Sequence, residues 1–272
     1  MNKRSFDFII DHLGWDKVNN ISEADIVYSP SELLNSEQYP DKKYIFGPHF
    51  SVFPNDLARR ISNKCNNSVY IQPSEPSVNT WVNEFGFNNT PVKSFPFPLI
   101  LSDYTIPTDE KSTVLIYYKE RIPSELDIVE NMLKSRSINY EIIRYGSYQE
   151  SNYQSKLNKS KYVIWLGRHE SQGFALESVM CKNIPLFVWG VTQRNQQLNC
   201  DPQFHKVKSV VSTVPYWSDQ CGELFFTKEE IESSFDKFLS KLGDYNPRKF
   251  VEDNLSIDIC SNNLLKLIAD IK

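Results

Sequence analysis

Short apolar runs bounded by turn-forming residues recur along the chain and alternate with stretches of helical periodicity. The runs predict strands at Ile26–Tyr28, Tyr44–Phe46, Val69–Gln72 and Lys93–Phe97. A second series follows at Thr113–Tyr118, Glu141–Arg144, Tyr162–Leu166 and Leu186–Trp189. Helical patterns fall at Asn55–Ser62, Ser77–Phe85, Ser124–Ser135, Gln172–Cys181 and Lys228–Leu242. Buried apolar strands that alternate with helices predict an α/β fold whose parallel sheets are covered on both faces. The segment Pro98–Ser112, with Pro107 and several Asp and Thr residues, has no periodicity. It reads as the linker between two Rossmann-like halves, residues 1–105 and 106–245. Terminal helices at Pro247–Asn254 and Ser256–Ile271 follow the completed second sheet, so residues 246–272 are expected to cross back and brace the first half.

Composition narrows the function classes. A chain of 272 residues accommodates one large domain or two compact ones. Its net charge of -4 leaves no basic excess to neutralise a phosphate backbone, so nucleic acid is not an expected partner. The amino terminus sets Asp7 and Asp11 around a short apolar run, which is not a signal peptide. No window reaches the roughly 18 apolar residues of a membrane span, and a soluble, cytoplasmic protein is expected. Cys65, Cys181, Cys200, Cys221 and Cys260 are odd in number and lack Cys-x-x-Cys spacing, which favours reduced thiols over disulfides or a zinc site. His12, His49, His169 and His205 likewise lack metal-ligand spacing. Only 9 glycines occur and none forms Gly-x-Gly, which removes the dinucleotide fingerprint and the P-loop.

The block from Ser160 to Trp189 carries the most chemistry. It reads as strand, polar loop, helix and strand, with the loop Gly167-Arg168-His169-Glu170-Ser171-Gln172-Gly173 at the end of the sheet where open α/β folds bind ligands. Gly173 lets a ligand approach the backbone at a helix start, where the dipole favours anions. Glu170 can accept hydrogen bonds from sugar hydroxyls, and an ordinary helix-start acid fits the same position. His169 reads as a local hydrogen-bonding residue more readily than as a base. After the strand ending at Tyr118 come Lys119, Glu120 and Arg121, just before the helix near Ser124. Cations there suit a diphosphate; the competing reading is a solvated loop. In the first half, Gly47-Pro48-His49 and Pro73-Ser74-Glu75 follow strands. His49 also fits a capped loop histidine, and Glu75 serves either an acceptor contact or a helix start.

Several segments together resemble the GT-B class of glycosyltransferases, specifically the retaining, family-4-like group with a Glu-x7-Glu motif, in its small viral or bacterial form. They are Ser160-Lys-Tyr-Val-Ile, His169-Glu-Ser-Gln-Gly-Phe-Ala-Leu, Asn183-Ile-Pro-Leu-Phe-Val-Trp, Ser212-Thr-Val-Pro-Tyr-Trp-Ser-Asp-Gln-Cys-Gly222 and Tyr245-Asn-Pro-Arg-Lys-Phe-Val-Glu-Asp-Asn-Leu-Ser256. The resemblance spans Lys111 to Ile268 and is loose over the first hundred residues. It implies two Rossmann-like domains whose parallel sheets face a central cleft. It further implies transfer, with retention, of a sugar from a nucleotide diphosphate donor to a hydroxyl of a glycan or glycoprotein. A UDP-sugar is favoured over a GDP-sugar, with a pentose such as xylose among the candidates.

By the same resemblance, the donor diphosphate sits at the helix beginning near Gly173, with Lys119 and Arg121 as the basic pair. Glu170 meets the donor sugar, and Arg168, His169, Ser171 and Gln172 complete the donor loop. Tyr216 lies on a further loop over the crevice, His49 reaches the sugar from the first half as a catalytic residue, and Glu75 is on the acceptor side. No Asp-x-Asp is present, which implies transfer without a metal or other cofactor, cations and helix dipole stabilising the leaving nucleotide. One departure stands out. The second motif Glu, which holds the ribose, is replaced in register by Ser178, while Glu177 lies one residue early and so about 100° around the helix. A serine cannot accept from both ribose hydroxyls as a carboxylate can. A nucleotide- or glycan-binding protein of the same fold with weak or no turnover is therefore the alternative.

Overall fold

The computed structural model describes residues 2–31, 34, 38–48, 67–87, 90–108, 111–199 and 210–271. The chain forms two compact units, Met1–Pro98 with Asn254–Lys272, and Leu99–Asp253.

The first unit holds a parallel sheet of β1 (Ile26–Ser29), β2 (Lys43–Phe46), β3 (Ser68–Gln72) and β4 (Val92–Ser94), in that order. Before the second unit begins it carries helix α1 (Asn2–Leu13) and helix α2 (Glu75–Asn79), which continues as a π-helical turn over Thr80–Glu84. The aromatic side chains of Tyr70, Trp81 and Phe87 form a buried cluster against the sheet. The expected strand Lys93–Phe97 ends at Ser94, and Phe95 and Phe97 are buried in the extended chain beyond it. The expected helix Asn55–Ser62 lies outside the described residues. Helix α1 was not expected; it buries Phe6 and Ile9 and packs on the last helix of the chain.

The second unit is built on a five-stranded parallel sheet of β5 (Thr113–Tyr118), β6 (Tyr140–Arg144), β7 (Ser160–Leu166), β8 (Leu186–Trp189) and β9 (Gly222–Phe225). Its order is β6-β5-β7-β8-β9. The chain leaves β5 toward one edge to make β6 and then returns to the other side of β5 to make β7. This reversal opens a crevice between the loops that follow β5 and β7, at their carboxyl ends. Helices α3 (Pro123–Ser135), α4 (Glu150–Asn158), α5 (Phe174–Cys181) and α6 (Ile231–Ser240) connect or follow these strands. On one face, Ile116, Ile164, Phe187, Phe225, Phe235 and Phe238 belong to a single apolar core. On the other, Tyr117 and Trp165 stack at 3.9 Å between ring centroids, and Tyr153 of α4 closes over Tyr117. Burial of each such side chain contributes on the order of 1.5–3 kcal/mol.

Strand β9 and helix α4 are additions to the expected set. In α4 only Tyr153 and Leu157 are buried, so its polar sequence gives little periodic signal. β9 joins β8 through Gly222, where a Cβ would stand 1.8 Å from the Leu186 carbonyl oxygen. Any side chain there would push the strands apart.

The chain continues through α7 (Pro247–Leu255) and ends with α8 (Ile257–Asp270). Ser256 caps α8 by accepting from the Ile259 N–H, and Lys43 Nζ donates to the Ile268 carbonyl at 2.9 Å within the first unit. Among the described residues no helix is long and apolar enough to cross a membrane. Cys181, Cys221 and Cys260 are buried, while Cys65, Cys200 and His205 fall outside the described residues.

Candidate active site

The crevice between β5 and β7 is crossed by charge. Each of the three residues after β5 is bound to the loop after β7. The Lys119 N–H donates to the Leu166 carbonyl at 2.8 Å, and its ammonium reaches Glu170 Oε1 at 2.6 Å. The Lys119 and Glu170 side chains are 8% and 14% exposed, and the Tyr145 ring lies 4.4 Å from the ammonium. Burial raises the Glu170 carboxyl above its ordinary value, and the charge and hydrogen bond of Lys119 oppose that rise. Glu120, in the left-handed region at φ 51°, accepts from Arg168 Nη1 at 2.5 Å.

Arg121 completes the crossing but faces inward. At 1% exposure, its Nε and Nη2 donate to the two carboxylate oxygens of Glu125, each at 2.8 Å. Nη1 donates to the carbonyls of Gly167 and Trp189 at 3.1 and 2.6 Å. This guanidinium, read from sequence as a diphosphate ligand, instead ties the ends of β7 and β8 to the first turn of α3. Of the two expected cations, Lys119 is the one whose charged end lies at Glu170.

His169 is held twice by one acceptor. Its N–H and its Nδ1–H both donate to Gln197 Oε1, at 3.0 and 2.7 Å. Burial lowers its pKa to about 4, so the ring is neutral at pH 7 and is not poised as a general acid. The Glu170 N–H donates to the Ser212 carbonyl at 2.9 Å, which fastens the segment carrying Tyr216 to the same loop. Tyr216 is half-buried, and Ser171 is exposed.

Gly173 sits at φ +103° immediately before α5, a conformation that L side chains rarely adopt, and it stops the helix from beginning at Gln172 as the sequence suggested. The two residues weighed for the ribose are both turned into the protein. Ser178 Oγ donates to the Ala175 carbonyl at 2.7 Å. Glu177, 1% exposed, accepts from Gln172 Nε2 at 3.2 Å through Oε2, while Oε1 has no hydrogen-bond partner among the described residues. Burial, with the nearby Glu170 charge adding to it, holds the Glu177 carboxyl well above the usual carboxylate range.

Lys119, Arg121, Arg168, His169, Glu170, Ser171, Gln172, Gly173, Glu177 and Ser178 thus belong to one mouth of the second sheet or the first turns of α5 behind it. Glu75 is exposed at the start of α2 in the first unit, and His49 lies outside the described residues. Glu120, Tyr145, Gln197 and Ser212 belong to the same network and were not singled out from sequence. Among the described residues, no three His, Cys, Asp or Glu side chains gather to hold a metal ion.

No protein-family model matches the chain, and no curated protein matches it significantly. Solved structures do share its fold. The lipopolysaccharide outer core galactosyltransferase WaaB is 13% identical, with a TM-score of 0.56 over 97% of this chain and 80% of that one. TarM is 14% identical, with a TM-score of 0.51 over 84% of this chain and 50% of its own. The pneumococcal O-GlcNAc transferase GtfA, solved with UDP and GlcNAc, is 9% identical, with a TM-score of 0.51 over 86% and 54%. The chain therefore spans about half the length of TarM and of GtfA. Its α/β fold with two parallel sheets is that of these GT-B glycosyltransferases.

Two substitutions test this geometry. Arg121→Met leaves Glu125 and two strand-end carbonyls without their partner, and should lower unfolding stability by about 3–5 kcal/mol. Denaturant titration measures this, and an unchanged midpoint would mean that the guanidinium is not sealed. For Glu177, the folded state holds its proton to higher pH than the unfolded chain, whose carboxyl ionises near about 4.3. Its contribution is therefore full below that pH and is lost as pH rises through the folded value. Glu177→Gln keeps an oxygen for Gln172 and removes the titration, so its stability relative to the parent should climb with pH above the carboxylate range. A difference that stays flat from acid to mildly basic pH contradicts the assignment.

Proposed function

We propose that the chain is a glycosyltransferase that moves a sugar from a nucleoside diphosphate donor to a hydroxyl of a glycan or glycoprotein. The observation that carries this reading is the buried Lys119–Glu170 pair at the switch point of the second sheet, beside the start of α5. An ammonium and a helix amino terminus at one place suit the charge that grows on a departing diphosphate. The adjacent carboxylate suits neutral sugar hydroxyls.

UDP is the favoured nucleotide, supported by the presence of UDP in the GtfA structure of the same fold. The sugar is a hexose or a pentose such as xylose, and transfer with retention, without a metal, follows the resemblance of the Glu170 motif. In this reading Glu170 binds the donor sugar, His49 is the catalytic histidine that the resemblance implies, and Gln172, Gly173 and Tyr216 shape the donor loop. Glu75 belongs to the acceptor side. Arg121, Arg168 and His169 act through their bonds to the mouth, as positioning residues, and the protein works in the cytoplasm.

A second reading, a nucleotide-binding protein with little turnover, is favoured by one feature. Glu177 and Ser178 are both engaged inside the protein, which leaves no helix carboxylate for the ribose. Transfer and hydrolysis assays over a panel of UDP- and GDP-sugars with glycan acceptors separate the two. The enzyme reading expects turnover that falls at least about a hundredfold in Glu170→Ala, the scale of losing one transition-state contact. Saturable donor binding with no product would instead establish the second reading, and parental rates in Glu170→Ala would remove that residue from the site.

A further inference from the structure

We propose that the Lys119–Glu170 ion pair is a two-part lock, opened only by a ligand that brings an anion to Lys119 and neutral hydroxyls to Glu170 at the same time. This rests on the donor-site reading above and adds to it a rule for which ligands are admitted and which are released. The Lys119 side chain is buried, that of Glu170 largely so, and each is the other's ion-pair partner at 2.6 Å. The ammonium is further covered by the Tyr145 ring.

The neighbouring charges are already committed. Arg168 is paired with Glu120, Arg121 is forked onto Glu125, and His169 donates to Gln197 with its ring neutral. Arg168 also acts on the Glu170 carboxylate through space, but among the described residues no hydrogen bond joins the two, and its Nη1 is held by Glu120. A bare diphosphate that captures Lys119 strands the Glu170 carboxylate in a buried site, now beside additional negative charge. A neutral sugar that captures Glu170 leaves the ammonium without its counter-ion. A sugar diphosphate supplies both replacements in one molecule, so that neither charge is left unpaired.

The lock has a direction. Before transfer, the donor carries both the phosphates and the hydroxyls. Afterwards the nucleoside diphosphate retains only the anionic part, and re-closure of the Lys119–Glu170 pair competes with it for the ammonium. Discrimination against the spent nucleotide is thereby built into the two residues that recognise the intact donor. Glu170 limits diphosphate affinity as well as supporting sugar recognition.

Calorimetric titration of the full chain with UDP, GDP and a panel of their sugars tests this. The parent should bind its best nucleotide sugar at least tenfold more tightly than the matching nucleoside diphosphate. Glu170→Gln should bind that diphosphate at least tenfold more tightly than the parent does and lose the preference for the sugar form. Glu170→Asp, which withdraws the carboxylate by one methylene, should shift affinities the same way and serves if the first variant does not fold. Lys119→Met should weaken both ligands. Diphosphate binding that is unchanged or weaker in the folded Glu170 variants, with nucleotide sugars still bound by the parent, overturns the lock and leaves the proposed function standing. A parent that binds none of these nucleotides overturns both.

Discussion

A guanidinium sealed from solvent organises the mouth of the second sheet. Arg121 leaves β5 at the point where the strand order reverses and reaches the last carbonyl of β8 and the first loop carbonyl after β7, while Glu125 at the start of α3 neutralises it. A buried charge is tolerated when its donors are satisfied in good geometry, and here a carboxylate fork and two carbonyls meet that requirement. Because those carbonyls belong to different strands, the arrangement fixes where the loop after β7 begins. Glu120 then fixes Arg168, and Lys119 meets Glu170, in the two residue pairs that follow outward from the same turn. Three consecutive charged residues thus descend from structural tie to loop anchor to candidate ligand group.

The same loop is held from its far side by neutral bonds. Gln197 accepts both donors of His169, and the Ser212 carbonyl accepts the Glu170 N–H. The backbone under Glu170 is therefore fixed before any ligand arrives, which confines the rearrangement on binding to the Lys119 and Glu170 side chains. The carboxyl of Glu177, protonation favoured by burial, supports Gln172 from behind. Ser178, the next residue, is buried as well, so both positions belong to the inner face of the helix.

Much of the fold was legible in the chain because the apolar strands are short and continuous. Thr113–Tyr118 and Leu186–Trp189 agree with the observed strands to the residue. Helix α4 and strand β9 were not legible. The first has two buried positions in nine residues, and the second depends on Gly222 meeting the Leu186 backbone, a contact without any local pattern. The loop around Glu170 was visible as an unusual run of polar residues after an apolar strand. Its partners were not, because the bonds from Lys119 to Glu170 and from Arg121 to Trp189 join residues 51 and 68 positions apart. Charge alone marked Lys119 and Arg121 as equivalent; only the partners each side chain meets in the fold, Glu170 for the one and Glu125, Gly167 and Trp189 for the other, make one a candidate ligand and the other a tie.

A crystal of the chain soaked with a nucleoside diphosphate sugar tests the role of the Lys119–Glu170 pair most directly. The expected result is a phosphate oxygen on Lys119 Nζ and beside the first N–H groups of α5, with sugar hydroxyls on Glu170 and the Lys119–Glu170 bond opened. A nucleotide bound away from the β5–β7 mouth, or bound there with Lys119 and Glu170 still paired at 2.6 Å, would contradict it.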